Sequence, residues 1–386
     1  MPIKVLLAED SAYQRKIISD MISTNKEIEV TAIARNGKEA IKKIGIHNPD
    51  VVLLDLIMPE VDGLTVLKFL SEHYPIPTIV FTGLKIESLD DSVQALLLGA
   101  FDFIIKPEGY WEAEFPKFKE KLISSILYAA KIKNTYEKRN SLIKESLNTQ
   151  PRLDPLYNLK IVDDIESSLI KAPREIGLEI KKVNSKVIVI GTSTGGPKTL
   201  KSILKDIPGD FTCPILIVQH LDPYFMKELA KSLNKVCSIE VKIPSNGEEI
   251  LPGIVYLSPG GKHMEVILRS KTPRIKIFKG EPVNFCIPSV DVLFNSAAKV
   301  YKNDAMGILL TGLGDDGAAG LEAIKNEGGQ TIAESEETCV VYGMPKAAIK
   351  RKAAKLVLPN YKISAYMINY TSQLKTNRIN SDPMEE

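Results

Sequence analysis

Residues 187–197, Val-Ile-Val-Ile-Gly-Thr-Ser-Thr-Gly-Gly-Pro, join an apolar run of strand length to a cluster of small residues. A helix is predicted from Lys198, so the order is strand, tight turn and helix. In that context the turn can present the Ser193 hydroxyl as a nucleophile, and free N–H groups at the helix start can stabilise an oxyanion. The same loop can instead bind a phosphate. The stretch therefore indicates an α/β fold and leaves nucleophile, phosphate loop and structural turn open.

Short apolar segments alternate with amphipathic ones on both sides of this stretch. Continuous apolar strands between helices are typical of parallel sheets that are covered on both faces. We predict two doubly wound α/β domains, in which functional side chains gather at the C-terminal ends of the strands. Residues 264–268 and 274–278 instead fit a hairpin. The other predicted strands are 3–8, 28–34, 51–55, 78–82, 101–105, 187–190, 214–218, 239–243, 254–258, 305–310 and 330–333.

The overall composition is that of a nearly neutral chain. Its 386 residues carry 50 Lys and Arg against 48 Asp and Glu, a net charge of +2, so no basic field favours nucleic acid. The apolar start is too short for a signal peptide, and no stretch reaches bilayer-spanning length. The four cysteines form no C-x-x-C pair and are typical of free thiols in a reducing compartment. We expect a cytoplasmic protein with no nucleic-acid partner and no membrane insertion.

Charged residues follow the predicted strands of the first half. Three carboxylates that converge on one sheet edge repel each other unless a cation lies among them, and oxygen ligands suit Mg²⁺. A lysine and a hydroxyl beside them can bind the oxygens of a phosphoryl group. The residues at these strand ends are Glu9, Asp10, Asp55, Thr82 and Lys106.

With these residues in place, 1–128 resembles a response-regulator receiver domain, which has a flavodoxin-like (CheY-like) fold. The resemblance implies that Asp55 accepts a phosphoryl group and holds Mg²⁺ together with Glu9 and Asp10. It also implies switch roles for Thr82, Lys106 and an aromatic residue, Phe101. Glu9 stands where aspartate is commoner, which keeps the charge but adds a methylene.

The middle of the chain has a different texture. Residues 131–140 continue the last receiver helix as a polar helical run, and Pro151, Pro155 and Pro173 interrupt the stretch that follows. We predict a partly helical linker over residues 129–184, a catalytic domain over 185–372 and a flexible tail over 373–386.

A serine nucleophile needs a base and an orienting carboxylate. The second half contains two histidines: His220 directly follows a predicted strand, and His263 lies in a loop from which it could also line the site. Asp315 and Asp316 both follow the strand 305–310 in a Gly-rich loop, and either could be the carboxylate. The dinucleotide and P-loop fingerprints are absent, and no histidine follows Asp316 as the α/β-hydrolase order requires.

The order Ser193, His220, Asp316 resembles the chemotaxis methylesterases of the CheB family, in which a receiver precedes the catalytic domain. The resemblance implies a doubly wound, mainly parallel methylesterase domain with these three residues as nucleophile, base and orienting acid. Leu313, Leu221 and Asp315 stand where Met, Met and Asn are commoner. The segments that carry the resemblance are 191–196, 219–220, 259–264, 310–317 and 339–345.

The resemblance also implies what the enzyme acts on and what controls it. It implies hydrolysis of glutamyl γ-methyl esters on chemoreceptors to glutamate and methanol, and commonly deamidation of receptor glutamines, for sensory adaptation. Backbone N–H groups near Thr194 and Leu313 could bind the oxyanion, and the esterase chemistry needs no cofactor. The histidine kinase CheA would be the phosphodonor, and we expect the unphosphorylated receiver to cover the esterase mouth.

Two other classes of protein remain as alternatives. The second domain could grip receptors under phosphorylation control without catalysis, although the serine, histidine and aspartate argue against that. The chain could instead be a regulator with a DNA-binding output, but no basic recognition helix follows the receiver.

Overall fold

The N-terminal part of the chain folds around a five-stranded parallel sheet with strand order β2-β1-β3-β4-β5. In the computed structural model, residues 1–74, 76–83, 89–107, 111–148 and 186–379 are described. Side-chain caps start three helices here: Ser11, Asn36 and Asp62 each accept a hydrogen bond from the first helical turn. The elements are β1 Ile3–Ala8, α1 Ala12–Ile22, β2 Ile28–Ala34, α2 Gly37–His47, β3 Val51–Leu54, α3 Gly63–His73, β4 Thr78–Gly83, α4 Leu89–Leu98, β5 Asp102–Lys106 and α5 Trp111–Asn148.

The C-terminal part folds around a seven-stranded sheet, again wholly parallel, with order β14-β13-β12-β6-β7-β9-β8. An antiparallel hairpin, β10–β11, stands apart from it, as predicted. The elements are β6 Val187–Thr192, α6 Gly196–Leu204, β7 Ile215–Gln219, α7 Pro223–Val236, β8 Glu240–Lys242, β9 Ile254–Leu257, β10 His263–Arg269, β11 Thr272–Phe278, α8 Val290–Tyr301, β12 Ala305–Leu309, α9 Ala318–Asn326, β13 Gln330–Glu334, α10 Met344–Lys350, β14 Leu356–Leu358 and α11 Asn360–Ile379.

Both sheets reverse their strand order beside the first strand of the unit. In the first sheet β1 lies between β2 and β3, and in the second β6 lies between β7 and β12. A crevice opens at such a reversal beyond the C-terminal strand ends, where ligands of open α/β sheets bind. The predicted doubly wound architecture of both domains is confirmed, and it brings each set of predicted site residues to one sheet edge.

The structure departs from the predicted elements mainly at the C-terminal end. Strand β14 has three residues, too short for an apolar pattern to show, and α11 continues beyond residue 372, where the catalytic domain was predicted to end. Helix α5 reaches Asn148, which confirms the predicted polar continuation of the receiver helix. The rest of the predicted linker, from 149, and the tail from 380 lie outside the described residues.

The two domains are in direct contact through the side of the first sheet that ends in β5. Helix α4 packs against α6 and α7, and Gln94 Nε2 lies 3.5 Å from Ser232 Oγ. The rings of Phe103 and Phe225 meet edge to face with centroids 4.7 Å apart. No helix among the described residues is long and apolar enough to cross a membrane.

Candidate active site

Ser193 lies on the tight turn that joins β6 to α6. Its backbone N–H donates to Thr311 O at 2.9 Å, and its carbonyl accepts from Gly196 N at 2.9 Å. Gly195 has φ +81°, and a Cβ on Gly196 would lie 2.1 Å from Gln219 Oε1. Glycine is therefore required here because one position is left-handed and the other has no room for a side chain.

His220 follows β7 at the same sheet edge. Its N–H donates to Thr192 O at 3.0 Å, and buried Gln219 donates from Nε2 to the carbonyls of both Ser193 and His220 at 2.9 Å. The side-chain amide of Gln219 therefore fixes the backbone of Ser193 relative to that of His220. We call Ser193, His220 and Asp316 the serine rim.

Asp316 is buried and accepts several hydrogen bonds. His220 Nε2 lies 2.9 Å from Asp316 Oδ2, and the N-terminal turn of α8 supplies further donors. These are Val290 N at 2.7 Å, Ser289 Oγ at 2.8 Å, Asp291 N at 3.2 Å and, from the preceding turn, Asn284 Nδ2 at 3.2 Å. A carboxylate at a helix N-terminus is favoured by the free N–H groups and the helix dipole.

These contacts move two pKa values in opposite directions. Burial by itself raises the pKa of Asp316, but the hydrogen bonds from His220 and Val290 outweigh burial and hold that pKa below its ordinary value. Burial acts to lower the pKa of His220, but hydrogen bonds with Asp316 and Cys286 raise it to about 9. The pair therefore favours an ionised carboxylate beside a strongly basic imidazole.

The hydrogen bonds also fix which imidazole nitrogen can act as a base. Because Asp316 accepts at Nε2, the neutral His220 carries its proton there and leaves Nδ1 unprotonated. Nδ1 lies 3.7 Å from Cys286 Sγ. Ser193 and His220 line one cleft of about 880 Å³, although within the described residues the Ser193 hydroxyl is not hydrogen bonded to His220.

The residues left as alternatives lie elsewhere. Asp315 is exposed, and no hydrogen bond or ion pair joins it to His220 within the part of the chain that the structure describes. His263 is buried, and both its nitrogens are engaged: Nδ1 accepts from Ser289 N at 3.2 Å and Nε2 lies 3.0 Å from Glu281 O. Thr194 lines the cleft, and Leu313 is exposed on the loop after β12. The structure thus places Asp316 and His220, rather than Asp315 or His263, at the serine rim.

The predicted residues of the first domain also converge, and we call them the carboxylate rim: Glu9, Asp10, Asp55, Thr82 and Lys106. Lys106 Nζ lies 2.7 Å from Glu9 Oε2 and 2.5 Å from Asp55 Oδ2. Burial raises the pKa of Glu9 to about 7 against the opposing effect of Lys106, and Asp55 adds to the rise. One carboxylate oxygen from each acid lies within 4.8 Å of the other two, and Asp10 is exposed. This donor set fits Mg²⁺, which takes carboxylate oxygens and keeps several waters.

Thr82 supplies a second indication of a ligand at the carboxylate rim. Its Oγ1 is buried and has no hydrogen-bond partner among the described residues. An unpaired buried hydroxyl costs free energy, so a group that hydrogen bonds to it would be stabilised.

Phe101, the predicted aromatic switch, precedes β5 and therefore lies at the end of that strand away from Lys106. Its ring packs on Tyr128 with centroids 6.2 Å apart. Phe103, which the sequence did not single out, contacts Phe225 of the second domain. The role of Phe101 stays a prediction, while Phe103 is the residue of β5 with a ring contact across the domain boundary.

The cleft at the serine rim has walls from both domains. The first domain contributes residues of β5 and of the start of α5, including Lys106, Lys117 and Lys121. The second contributes Ser193 and His220. The chain therefore places Lys106 of the carboxylate rim and Ser193 and His220 of the serine rim around one interdomain space.

Sequence reasoning missed the residues that support the serine rim. Asn284, Cys286 and Ser289 come from the segment between β11 and α8, where the one available signal is Ser289, a residue type that commonly caps helices. Glu334 is fully buried at the end of β13 and accepts from Thr311 N at 2.8 Å. The carbonyl of Thr311 in turn accepts from Ser193 N, so β13 is linked to the serine through the loop that follows β12.

Comparison with known proteins agrees with this arrangement. The family described as CheB methylesterase matches residues 188–367, and that described as response regulator receiver domain matches residues 5–112. The chain is 38% identical over 368 residues to a protein-glutamate methylesterase/protein-glutamine glutaminase of Archaeoglobus fulgidus, covering 95% of this chain and 98% of that protein. It is 38% identical over 350 residues to the protein of the same name from Halalkalibacterium halodurans, covering 91% and 93%.

A solved structure is also similar. The catalytic domain of the CheB methylesterase of Thermotoga maritima is 41% identical, with a TM-score of 0.48, and covers 49% of this chain and 100% of that one. From the extended similarity to whole proteins of this type, the chain belongs to the CheB methylesterase family, in the form that carries an N-terminal receiver domain.

Proposed function

We propose that the chain is a phosphorylation-activated methylesterase that hydrolyses glutamyl γ-methyl esters on chemoreceptors to glutamate and methanol. The observation that carries the proposal is the hydrogen bond from His220 Nε2 to Asp316, 2.9 Å long. It leaves Nδ1 as the basic atom of the imidazole, and His220 and Ser193 line the same cleft. A serine, an oriented imidazole and a buried carboxylate are the parts that acyl transfer requires.

The reaction has two steps. His220 Nδ1 takes the proton of the Ser193 hydroxyl as Oγ attacks the ester carbonyl, and the imidazolium then protonates the departing methanol. Water attacks the acyl-enzyme in the same way and releases the glutamate. We assign backbone N–H groups near Thr194 and Leu313 to the oxyanion, while Asp316 would stabilise the imidazolium in both steps.

The same groups suit an amide substrate. With a glutamine side chain, Nδ1 would protonate departing ammonia instead of methanol and leave the same acyl-enzyme. Both activities stand in the names of the relatives, and the single serine rim supports proposing both for this chain.

Control of the esterase would come from the carboxylate rim. We assign Asp55 as the phosphoacceptor, with CheA as the kinase that supplies the phosphoryl group. Mg²⁺ held by Glu9, Asp10 and Asp55 would offset negative charge during phosphoryl transfer. Lys106 and the unpaired hydroxyl of Thr82 would bind phosphoryl oxygens, which draws Lys106 away from its present carboxylate partners.

Occlusion is how we propose that the receiver controls the serine rim. In the structure, residues of β5 and α5 line one side of the cleft. Phe103 packs on Phe225 at the start of α7, and Phe225 is close to His220 in the sequence. Phosphorylation changes the charge at the end of β5 and loosens this contact, which opens the cleft to receptor helices during sensory adaptation. Because all four cysteines are free thiols, we propose the cytoplasm as the compartment.

Methanol release from methylated chemoreceptors tests the catalytic part directly. Ser193→Ala should lower the rate by several orders of magnitude. Ser202→Ala, in the helix that follows, should retain it because Ser202 lies outside the cleft. A Ser193→Ala protein that released methanol at the wild-type rate would disprove the assignment.

A further inference from the structure

We propose that His220 and Cys286 form a binding site for a borderline-soft divalent cation, represented by Zn²⁺, and that occupation of this site inhibits the esterase. The inhibition rests on the proposed function, whereas the binding does not. His220, Cys286 and Asp316 form a cluster in which one ligand atom from each lies within 4.8 Å of the other two.

The separation of the two primary ligand atoms suits a metal. His220 Nδ1 and Cys286 Sγ are 3.7 Å apart. Zinc binds sulfur at about 2.3 Å and imidazole nitrogen at about 2.0 Å, so tetrahedral geometry places two such ligands roughly 3.5 Å apart. A small rotation of the Cys286 side chain therefore suffices. The thiol proton passes to solvent as the metal binds.

Asp316 provides the outer support that a metal-binding histidine needs. A ligating imidazole ordinarily donates its other N–H to a carboxylate, which fixes the ring and raises its basicity. His220 Nε2 already makes that hydrogen bond at 2.9 Å, and α8 holds the carboxylate in place. The imidazole is thus oriented before any metal arrives.

The turn that precedes α8 fixes the position of Cys286. Val283 and Cys286 exchange two backbone hydrogen bonds of 3.2 and 3.0 Å, and the residues between them, Asn284 and Phe285, have φ of 51° and 61°. Such values at both central positions define a tight type I′ turn, which is unusual for phenylalanine. Asn284 anchors the turn to Asp316 and Asp291, so the thiol is held beside the imidazole.

Occupation of this site would remove the catalytic base. The metal would take the lone pair of Nδ1, the atom that receives the serine proton in the proposed mechanism. His220 and Cys286 are both partly exposed, so the cation can reach them from solvent. Water or the Ser193 hydroxyl would complete its coordination, since two protein ligands leave positions open.

Titration of the full chain with Co²⁺ tests the binding without using esterase activity. A thiolate ligand gives Co²⁺ a charge-transfer absorption band, which metal bound at the carboxylate rim does not produce. We expect this band in the wild-type protein and in Ser193→Ala, and its loss in Cys286→Ser and in His220→Ala. Cys237→Ser is the matched control: this half-buried thiol at the end of α7 should not contribute, and the band should persist.

Inhibition is measured separately, as methanol release with and without Zn²⁺, each variant being compared with its own metal-free rate. We expect the Zn²⁺ concentration for half inhibition to rise at least tenfold in Cys286→Ser and to stay unchanged in Cys237→Ser. A wild-type protein without the band, or a Cys286→Ser protein that keeps it, would overturn the metal site. A normal band in a protein with no esterase activity would leave the metal site standing and disprove the proposed function.

Discussion

The carboxylate rim and the serine rim both lie where the strand order of a parallel sheet reverses, yet they hold their charges differently. At the carboxylate rim the charged side chains come from strand ends and contact each other directly, with Lys106 between Glu9 and Asp55. At the serine rim two residues come from strand ends, and the third, Asp316, is held by the N-terminus of a separate helix.

This difference separates a rim that can rearrange from one that is fixed. An added phosphoryl group would compete with Glu9 and Asp55 for a single lysine, so the carboxylate rim can change its pairing. Asp316 accepts backbone and side-chain donors that no phosphorylation would displace. We infer that the serine rim is preorganised for chemistry and the carboxylate rim for switching, and the predictions below test that contrast.

The largest effect is expected from Asp316, the carboxylate that the N-terminus of α8 holds in place. Asp316→Asn should lower kcat by about 10⁴-fold, because the amide no longer favours the tautomer with Nδ1 unprotonated. Asp315→Asn is the matched control and should change kcat by less than about tenfold, since Asp315 is exposed. Measured methanol release in which Asp315→Asn was the more damaging change would contradict the geometry of the serine rim.

The pH dependence of kcat/KM should follow His220. Burial acts to lower the pKa of His220, but hydrogen bonds with Asp316 and Cys286 raise it to about 9. The unprotonated base therefore becomes more abundant as the pH rises, and the rate should increase roughly fiftyfold between pH 7 and 9. The same rise in the pKa of His220 also stabilises the folded state. This contribution is fully present below about pH 6.5 and is lost as the pH rises through about 9.

Cys286→Ser sharpens this prediction. Loss of the thiol removes one of the contacts that raise the pKa of His220. The pH range in which kcat/KM increases should therefore move to lower pH. The profiles are measured with a chelator present to keep the site free of metal. If kcat/KM increased over the same pH range in both proteins, Cys286 would not act on the imidazole.

A smaller effect is expected from Thr311, whose hydroxyl links the Ser193 turn to the segment at Val341. Thr311 Oγ1 donates to Thr194 O at 2.9 Å and accepts from Val341 N at 2.9 Å. Thr311→Val leaves a buried N–H unpaired, so we expect a loss of about 1–3 kcal/mol in stability and about tenfold in kcat through displacement of the turn.

Thr331→Val is the control for Thr311→Val. Thr331 Oγ1 makes the same two kinds of hydrogen bond, to Ala353 O at 2.8 Å and from Lys355 N at 2.9 Å, on the neighbouring strand β13. Thermal melts should show similar destabilisation for both variants, while kcat should fall in Thr311→Val alone. Equal losses of kcat would mean that the effect is one of stability.

The smallest effect concerns the contact between the domains. Phe103→Leu removes the edge-to-face contact with Phe225, which is worth about 0.5–1.5 kcal/mol beyond its buried area. We expect the unphosphorylated esterase rate to rise a few-fold. Phe101→Leu should raise the rate less, because the ring contact of Phe101 is with Tyr128 inside the receiver. If Phe101→Leu raised the rate more than Phe103→Leu, Phe101 and not Phe103 would be the residue that couples the receiver to the esterase.

The sequence was most informative where function lies at the end of an apolar strand. Strands β1 and β2 have the predicted bounds, and Ser193 and His220 lie at the predicted edge because parallel strands share one. The choice of Asp316 over Asp315 depends on which carboxylate reaches the N-terminus of α8, and that is decided by tertiary packing.

Other parts of the site left no pattern in the sequence. Cys286 lies beside His220 because of a turn whose central residues, Asn284 and Phe285, are not a usual left-handed pair. Phe103 faces the second domain through the relative placement of two sheets, which no local periodicity encodes.

The central claim is that phosphorylation of Asp55 opens the serine rim. Its most direct test is the rate of methanol release from methylated chemoreceptors, measured for wild type and Asp55→Asn with Mg²⁺, with and without a small-molecule phosphodonor. We predict a several-fold rise with the donor for wild type and an unchanged, low rate for Asp55→Asn. Equal wild-type rates with and without the donor, or a full response in Asp55→Asn, would contradict the claim.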